Sequence, residues 1–156
     1  MADLSVAKIR VVEVALTVDT SAYAANDSLA EPQLVTDFLG LSGLALIHEV
    51  SVQDNDDQGV AFDLVLAKSA IVLSSSGENT AITLTDAHAA DIIQQINIVA
   101  TDYNDNINSQ NAYSRGLNAF VDSGGLKDIW IGAIARGTAT YAGAVITVRF
   151  SLFDMK

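Results

Sequence analysis

Apolar and polar residues alternate over five stretches of this chain. In Arg10–Val18, Val12, Val14, Leu16 and Val18 fall on one side, and Val11, Glu13, Ala15 and Thr17 on the other. Leu44–Gln53 sets Leu46, His48, Val50 and Val52 against Ala45, Ile47, Glu49 and Ser51. Val60–Lys68 puts Val60, Phe62, Leu64 and Leu66 on one face and leaves Asp63 on the wetter one. In "DIWIGAIARG", Ile129 and Ile131 alternate with Trp130 and Ile134. Near the end, Ile146, Val148, Phe150 and Leu152 alternate with Val145, Thr147, Arg149 and Ser151. Successive side chains on a strand point to opposite faces, so each stretch predicts a half-buried strand. The abundance of β-branched residues agrees.

One segment breaks the period. "TDAHAADIIQQI" (Thr85–Ile96) opens on a capping threonine, has an aspartate in the first turn, and sets Ala89, Ile92, Ile93 and Ile96 on one helical stripe. A short helix is expected there. Between the strands lie "DTSAYAAND", "DNDDQG", "SSSGEN", "NDNINSQN" and "DSGG", all rich in turn-forming residues. Short strands separated by turns predict one domain over residues 1–156, an antiparallel β-sandwich or jelly-roll with one short α-helix. The lone proline, Pro32, marks a strand start or an edge.

Charge narrows the partners. The chain has 156 residues, 19 acids against 8 bases, and a net charge of −11. The bases are scattered, whereas nucleic-acid binding needs clustered positive charge, so no nucleic-acid partner is expected. No apolar run approaches the ~20 residues of a membrane helix, and no membrane partner is expected. The first residues show no basic-then-apolar leader pattern. Cysteine is absent, which excludes disulfides and thiolate chemistry. Half the residues are apolar and only 17% are charged, a balance that suits a surface partly hidden against other subunits.

The chemistry-bearing residues form no convincing constellation. Asp54, Asp56 and Gln58 with Gly59 match positions one, three, five and six of a calcium loop, and Asp57 adds a further acid. Position twelve, which needs a bidentate glutamate, is Val65. The stretch therefore reads as a turn between two strands. His48, read as half-buried, and His88, read as exposed, are the only histidines, and "HEVSV" lacks the second histidine of a zinc protease. "SSSGEN" lacks the setting of a nucleophilic serine. No residue is assigned a catalytic, cofactor-binding or metal-binding role, no cofactor is expected, and the chain reads as a protein without enzymatic activity. Tyr23, Tyr103, Tyr113 and Tyr141 fall in or near predicted loops and could form a surface for sugars or proteins.

Three stretches carry a resemblance. "VALTVDTSAYAANDSLAE", "SVQDNDDQGVAFDLVLA" and "IGAIARGTATYAGAVITVRF" resemble, in the same order and over most of the chain, a family of small virion structural proteins of tailed bacteriophages, encoded among head genes. Its most specific pieces here, "DTSAYAAND" and "DNDDQGVAFDL", are turn-and-strand patterns and transfer no site residues. The resemblance implies a decoration (cement) protein on the outer capsid surface of the virion. Its partners would be the major capsid protein and further copies of itself, as a homo-oligomer and specifically a trimer. A head–tail connector or tail component, and a carbohydrate-binding β-sandwich module, are the alternatives.

Overall fold

A computed structural model describes residues 9–106, 109–143 and 145–155. It contains nine strands: β1 (Ile9–Thr17), β2 (Ser28–Val35), β3 (Leu44–Asp54), β4 (Phe62–Ala67), β5 (Ile92–Ile98), β6 (Tyr103–Asn106), β7 (Ser109–Asp122), β8 (Ile129–Ala135) and β9 (Val145–Asp154). One turn of helix, α1 (Asp86–Ala89), precedes β5. The strands form two antiparallel sheets, ordered β1-β9-β3-β7-β6 and β2-β8-β4-β5.

The pairing follows one rule. With the short β6 set aside, the first strand pairs with the last (β1–β9), the second with the next to last (β2–β8), then β3–β7 and β4–β5. This is a single antiparallel ribbon whose successive segments alternate between two sheets, joined sideways by β9–β3 and β8–β4. That connectivity is the jelly roll, so the expected fold class is the one observed.

The inner faces close the core. Val14, Leu16, Ile47, Val50, Val52, Val148, Phe150 and Leu152 meet Phe62, Leu64, Leu66, Ile96, Ile98, Ile129 and Ile131 from the other sheet. Phe38, from the connection after β2, stands edge-on to Phe150 with ring centres 5.0 Å apart. The predicted faces of β1 and β9 are those observed. Pro32 lies in β2, an edge strand, where the pairing with β8 shifts register.

Three expectations change. First, β3 carries a bulge at His48: Ile47 faces Leu152 and Glu49 faces Ser151, leaving His48 as the extra residue. The bulge switches the alternation, so Ala45 and Ile47 point inward with Val50 and Val52, and His48 is exposed rather than half-buried. Facing it, β7 inserts Gly116–Asn118 between the partners of Ile47 and Glu49, with Gly116 and Asn118 at φ of 65° and 47°. Second, the helix stops after one turn. Thr85 caps it by accepting from the His88 N–H, but Ile92–Ile98 forms β5, because the edge of β4 offers a ladder of hydrogen bonds to this β-branched run. Third, β4 is buried on both faces. The segment 68–91 crosses the outside of the second sheet, and its Ile71 and Leu73 pack with Val65, Ala67 and Ile134 in a second apolar cluster. Glu31 fastens that cover, its carboxylate accepting from the Leu73 and Ser74 backbone N–H groups at 3.0 Å.

Asp63 is therefore not on a wet face but 2% exposed. It accepts from Arg136 Nε at 2.6 Å and Gln95 Nε2 at 2.7 Å, with Asn97 as a further donor. Every buried side-chain polar atom among the described residues has a partner.

Two substitutions test this architecture by urea denaturation. Phe150→Ala should cost about 3–5 kcal/mol, as expected for a large core side chain whose site cannot collapse. Arg136→Ala should cost about 1.5–3 kcal/mol, because it strips a charged partner from a buried carboxylate. A loss below ~0.5 kcal/mol in either would contradict the packing described.

Candidate functional site: an apolar end and an acidic end

The ribbon topology gathers connections at two ends of the sandwich, and the ends differ. At one end lie the start of β1, the end of β9, the β2–β3 connection and the β7–β8 connection. Register carries an apolar row across the outer face of the five-stranded sheet here: Ile9 lies beside Phe153, Phe153 beside Leu46, and Leu46 beside Phe120. Ile9 is 62% exposed and Phe120 48%. His48, turned outward by the bulge, sets its ring edge-on to Phe153 at 5.4 Å.

Two loops extend this surface. Leu41, 88% exposed, tips the β2–β3 connection, and Leu126, also exposed, tips the β7–β8 connection. The loops are clasped backbone to backbone. The Leu39 N–H donates to the Lys127 carbonyl at 2.8 Å, and the Ser123 N–H donates to the Gly43 carbonyl at 3.2 Å. Gly43, at φ of 70°, approaches Gly125 so closely that a Cβ would lie 2.5 Å from its Cα, so no other residue fits there. Ser42 Oγ donates to the Met155 carbonyl, which holds the Leu41 loop against the end of β9. Arg10 anchors the same corner, donating to Asp154 Oδ1 at 2.7 Å and to the Asp37 and Phe38 carbonyls at 2.7 and 2.6 Å. Ile9, Val11, Leu41, Phe120, Leu126 and Met155 are all exposed at this end.

The opposite end is acidic. Its connections carry Asp19, Asp27, Asp56, Asp57 and Asp102, with Asp54 closing β3, against one cation among the described residues, Arg136. Asp54, Asp56 and Asp57 form the β3–β4 turn, as the spacing suggested. Asp54 is 1% exposed, and its carboxylate accepts from the backbone N–H groups of Asp56, Gln58 and Gly59 at 3.0–3.1 Å. Burial pushes its carboxyl above the usual 3.8, the three N–H donors pulling the other way. Asp56 Oδ2 accepts from the Ala142 N–H at 2.7 Å and Gln58 Oε1 from the Thr140 N–H at 3.2 Å, so the turn buttresses the β8–β9 connection. Asp54 and Asp56 are thus occupied with backbone donors, and no group of three or more potential metal ligands occurs among the described residues.

The tyrosines divide. Tyr23 and Tyr141 are core residues in edge-to-face contact at 6.0 Å, and Tyr103 is half-buried. Burial pushes the Tyr23 phenol up to about 12 and raises Tyr103 and Tyr141 as well. Tyr23 OH donates to the Leu29 carbonyl at 3.1 Å. Of the four, Tyr113 alone is exposed, with the Arg115 guanidinium 5.2 Å from its ring centre. A multi-tyrosine sugar platform is therefore not present. Sequence reasoning missed the apolar row for a plain reason: its members lie on four strands, and only register makes them neighbours. The exposed Leu41 in "LGLSG" was the one local signal.

No protein-family model matches the chain, and no curated protein matches it. Among solved structures, one from Desmodium yellow mottle tymovirus aligns over 93% of this chain and 79% of its own, at 10% identity and a TM-score of 0.29. A likeness that weak carries no argument. Among the described residues, no helix is long and apolar enough to cross a membrane.

The buried carboxyl gives a signed pH test. Because the folded value of Asp54 is raised, its protonation favours the fold below about 3.8, and that stability is lost as the pH rises through the folded value. Asp54→Asn does not titrate, so it should gain on the wild type as the pH rises through that window. Urea midpoints of both proteins at several pH values measure this, and a difference that moves the other way contradicts the burial argument.

Proposed function

We propose that this protein works by contact rather than catalysis, as a decoration (cement) protein of a tailed-bacteriophage head. In this reading the apolar end seats on the outer capsid surface against the major capsid protein, and the acidic end faces solvent. The observation that carries the proposal is the apolar row Ile9–Phe153–Leu46–Phe120, exposed at Ile9 and Phe120 and half-buried between them, extended by the exposed Leu41 and Leu126. Contiguous exposed apolar surface on an otherwise polar protein marks an interaction site. The resemblance of the turn-and-strand patterns to head-encoded phage proteins supplies the partner. Jelly rolls serve capsids and lectins alike, so the fold by itself does not choose between them. The burial of Tyr23 and Tyr141 weighs against the carbohydrate-binding alternative.

A rigid sandwich suits this task. It adds buried surface between shell subunits, and many weak attachments on one particle raise avidity without any new contact. Scarce positive charge keeps it off packaged DNA.

Mutating the apolar end tests the reading. Phe120→Asp combined with Leu41→Asp should cut binding to capsid shells lacking the protein at least tenfold by co-sedimentation, with an unchanged melting curve. Wild-type copies should number in the hundreds per particle. About a dozen copies per particle would promote the connector alternative, and undiminished binding by the double variant would remove the apolar end from the interface.

A further inference from the structure

The four sheet edges are not alike. β2 carries Pro32 and two register shifts, β6 has four residues, and β5 meets β4 with an irregularity at Ala67. β1 pairs all nine of its residues with β9, without bulge or proline. The direction of its backbone groups is fixed by one contact: Gln33 Nε2 donates to the Ala15 carbonyl at 2.7 Å. The N–H and C=O of a strand residue point the same way and alternate along the chain. Ile9, Val11, Glu13, Ala15 and Thr17 therefore turn theirs to the free edge, while Arg10, Val12, Val14 and Leu16 bond to β9. Among the described residues, the Ala15 carbonyl is the one backbone group on that edge with a partner. Globular proteins blunt such edges, because a long regular one is a template for another strand. Beside it an open groove of about 390 Å³ runs between Val12–Ala15 and Gln33–Thr36.

We infer that this edge takes β1 of a second copy, antiparallel across a two-fold axis at Val12, joining two five-stranded sheets into one of ten. Several observations favour a second copy as the occupant. An antiparallel strand related by a two-fold axis is self-complementary by construction. Side chains of opposed residues share a face, so the residue numbers of each pair must sum to an even value, and an axis at Val12 satisfies this. That register sets Val11 opposite Glu13 of the second copy and Ile9 opposite Ala15. It exchanges two backbone bonds at the Val11–Glu13 pair and keeps the two Glu13 carboxylates from facing each other; at the Ile9–Ala15 pair the Ala15 carbonyl must release or share the Gln33 donor it now holds. Each Glu13 is already paired with Arg149, 2.6 Å away within its own chain, so joining the edges brings no unpaired acid into the seam.

The contact is small. In this register residues 9–15 oppose one another, and seven residues at ~3.3 Å with a sandwich wall about 15 Å deep bury on the order of 700 Å² over both copies. This is below the ~1,200 Å² of stable specific interfaces, so the pair is a weak one that forms with rising concentration. Ile9 belongs both to this seam and to the apolar row, so the pairing is measured on the purified protein without capsid shells. It gives a pair where the resemblance led us to expect a trimer.

Sedimentation velocity of the whole chain over a series of rising concentrations tests it, with amide hydrogen exchange read residue by residue. The wild type should dimerise with rising concentration, and the Val11 and Glu13 amides should become protected as it does, while Val12 and Val14 are protected throughout. Val11→Glu places a carboxylate opposite Glu13 and should weaken dimerisation at least tenfold; Val11→Lys should retain it. Val11→Pro removes an outward N–H without touching the β9 ladder and should give a folded monomer. Should that variant fail to fold, the Glu and Lys pair decides alone, because both keep the backbone donor. A wild type that stays monomeric, a trimer, or a dimer indifferent to Val11→Glu overturns the inference. Protection of the outward amides only when capsid shells are added also overturns it, and gives the edge to a foreign strand.

Discussion

The pairing of β9 with both β1 and β3 is the contact on which the rest of the molecule rests. The last strand lies between the first and the third, so one sheet cannot form until nearly the whole chain is present. Glu13 meets Arg149 across 136 positions of sequence and Arg10 meets Asp154 across 144. Closing such long loops costs entropy before any contact compensates, which places this topology among the slow-folding ones. The inner face of β9 offsets that cost, since Ile146, Val148, Phe150 and Leu152 enter the core together.

The sequence was most informative where burial is one-sided. β1 and β9 have one wet face and one dry face, and their period of two could be read directly. It was least informative where a third layer intervenes. β4 lies under the segment 68–91, so the wet face inferred from Asp63 is a buried ion-pair site, closed by Arg136 some 73 positions away. At His48 a single extra residue reverses the alternation, and a bulge leaves no local mark in composition. At Ile92–Ile98 local helix signals were correct for one turn and then lost to the free edge of β4, a competition that no window of sequence contains. The candidate site was hidden for the same reason, because Ile9, Leu46, Phe120 and Phe153 become neighbours only through register.

The two ends also divide the labour of holding the fold. The acidic end is tied by carboxylates bonded to backbone N–H groups, as Asp54 and Asp56 show. The apolar end is tied by Arg10 and by the clasp of two glycine-containing loops. Neither arrangement depends on the exposed leucines and phenylalanine, which are therefore open to another role.

The uneven spread of charge gives the molecule a permanent electric moment along the sandwich. One end holds Asp19, Asp27, Asp54, Asp56, Asp57 and Asp102 against Arg136 alone among the described residues; the other offsets Asp37, Asp122, Asp128 and Asp154 with Arg10 and Lys127. Near any surface of negative potential, the resulting torque turns the acidic end away and presents the hydrophobic end first. Collisions would then arrive already oriented, within the ~8 Å over which such fields act in physiological salt.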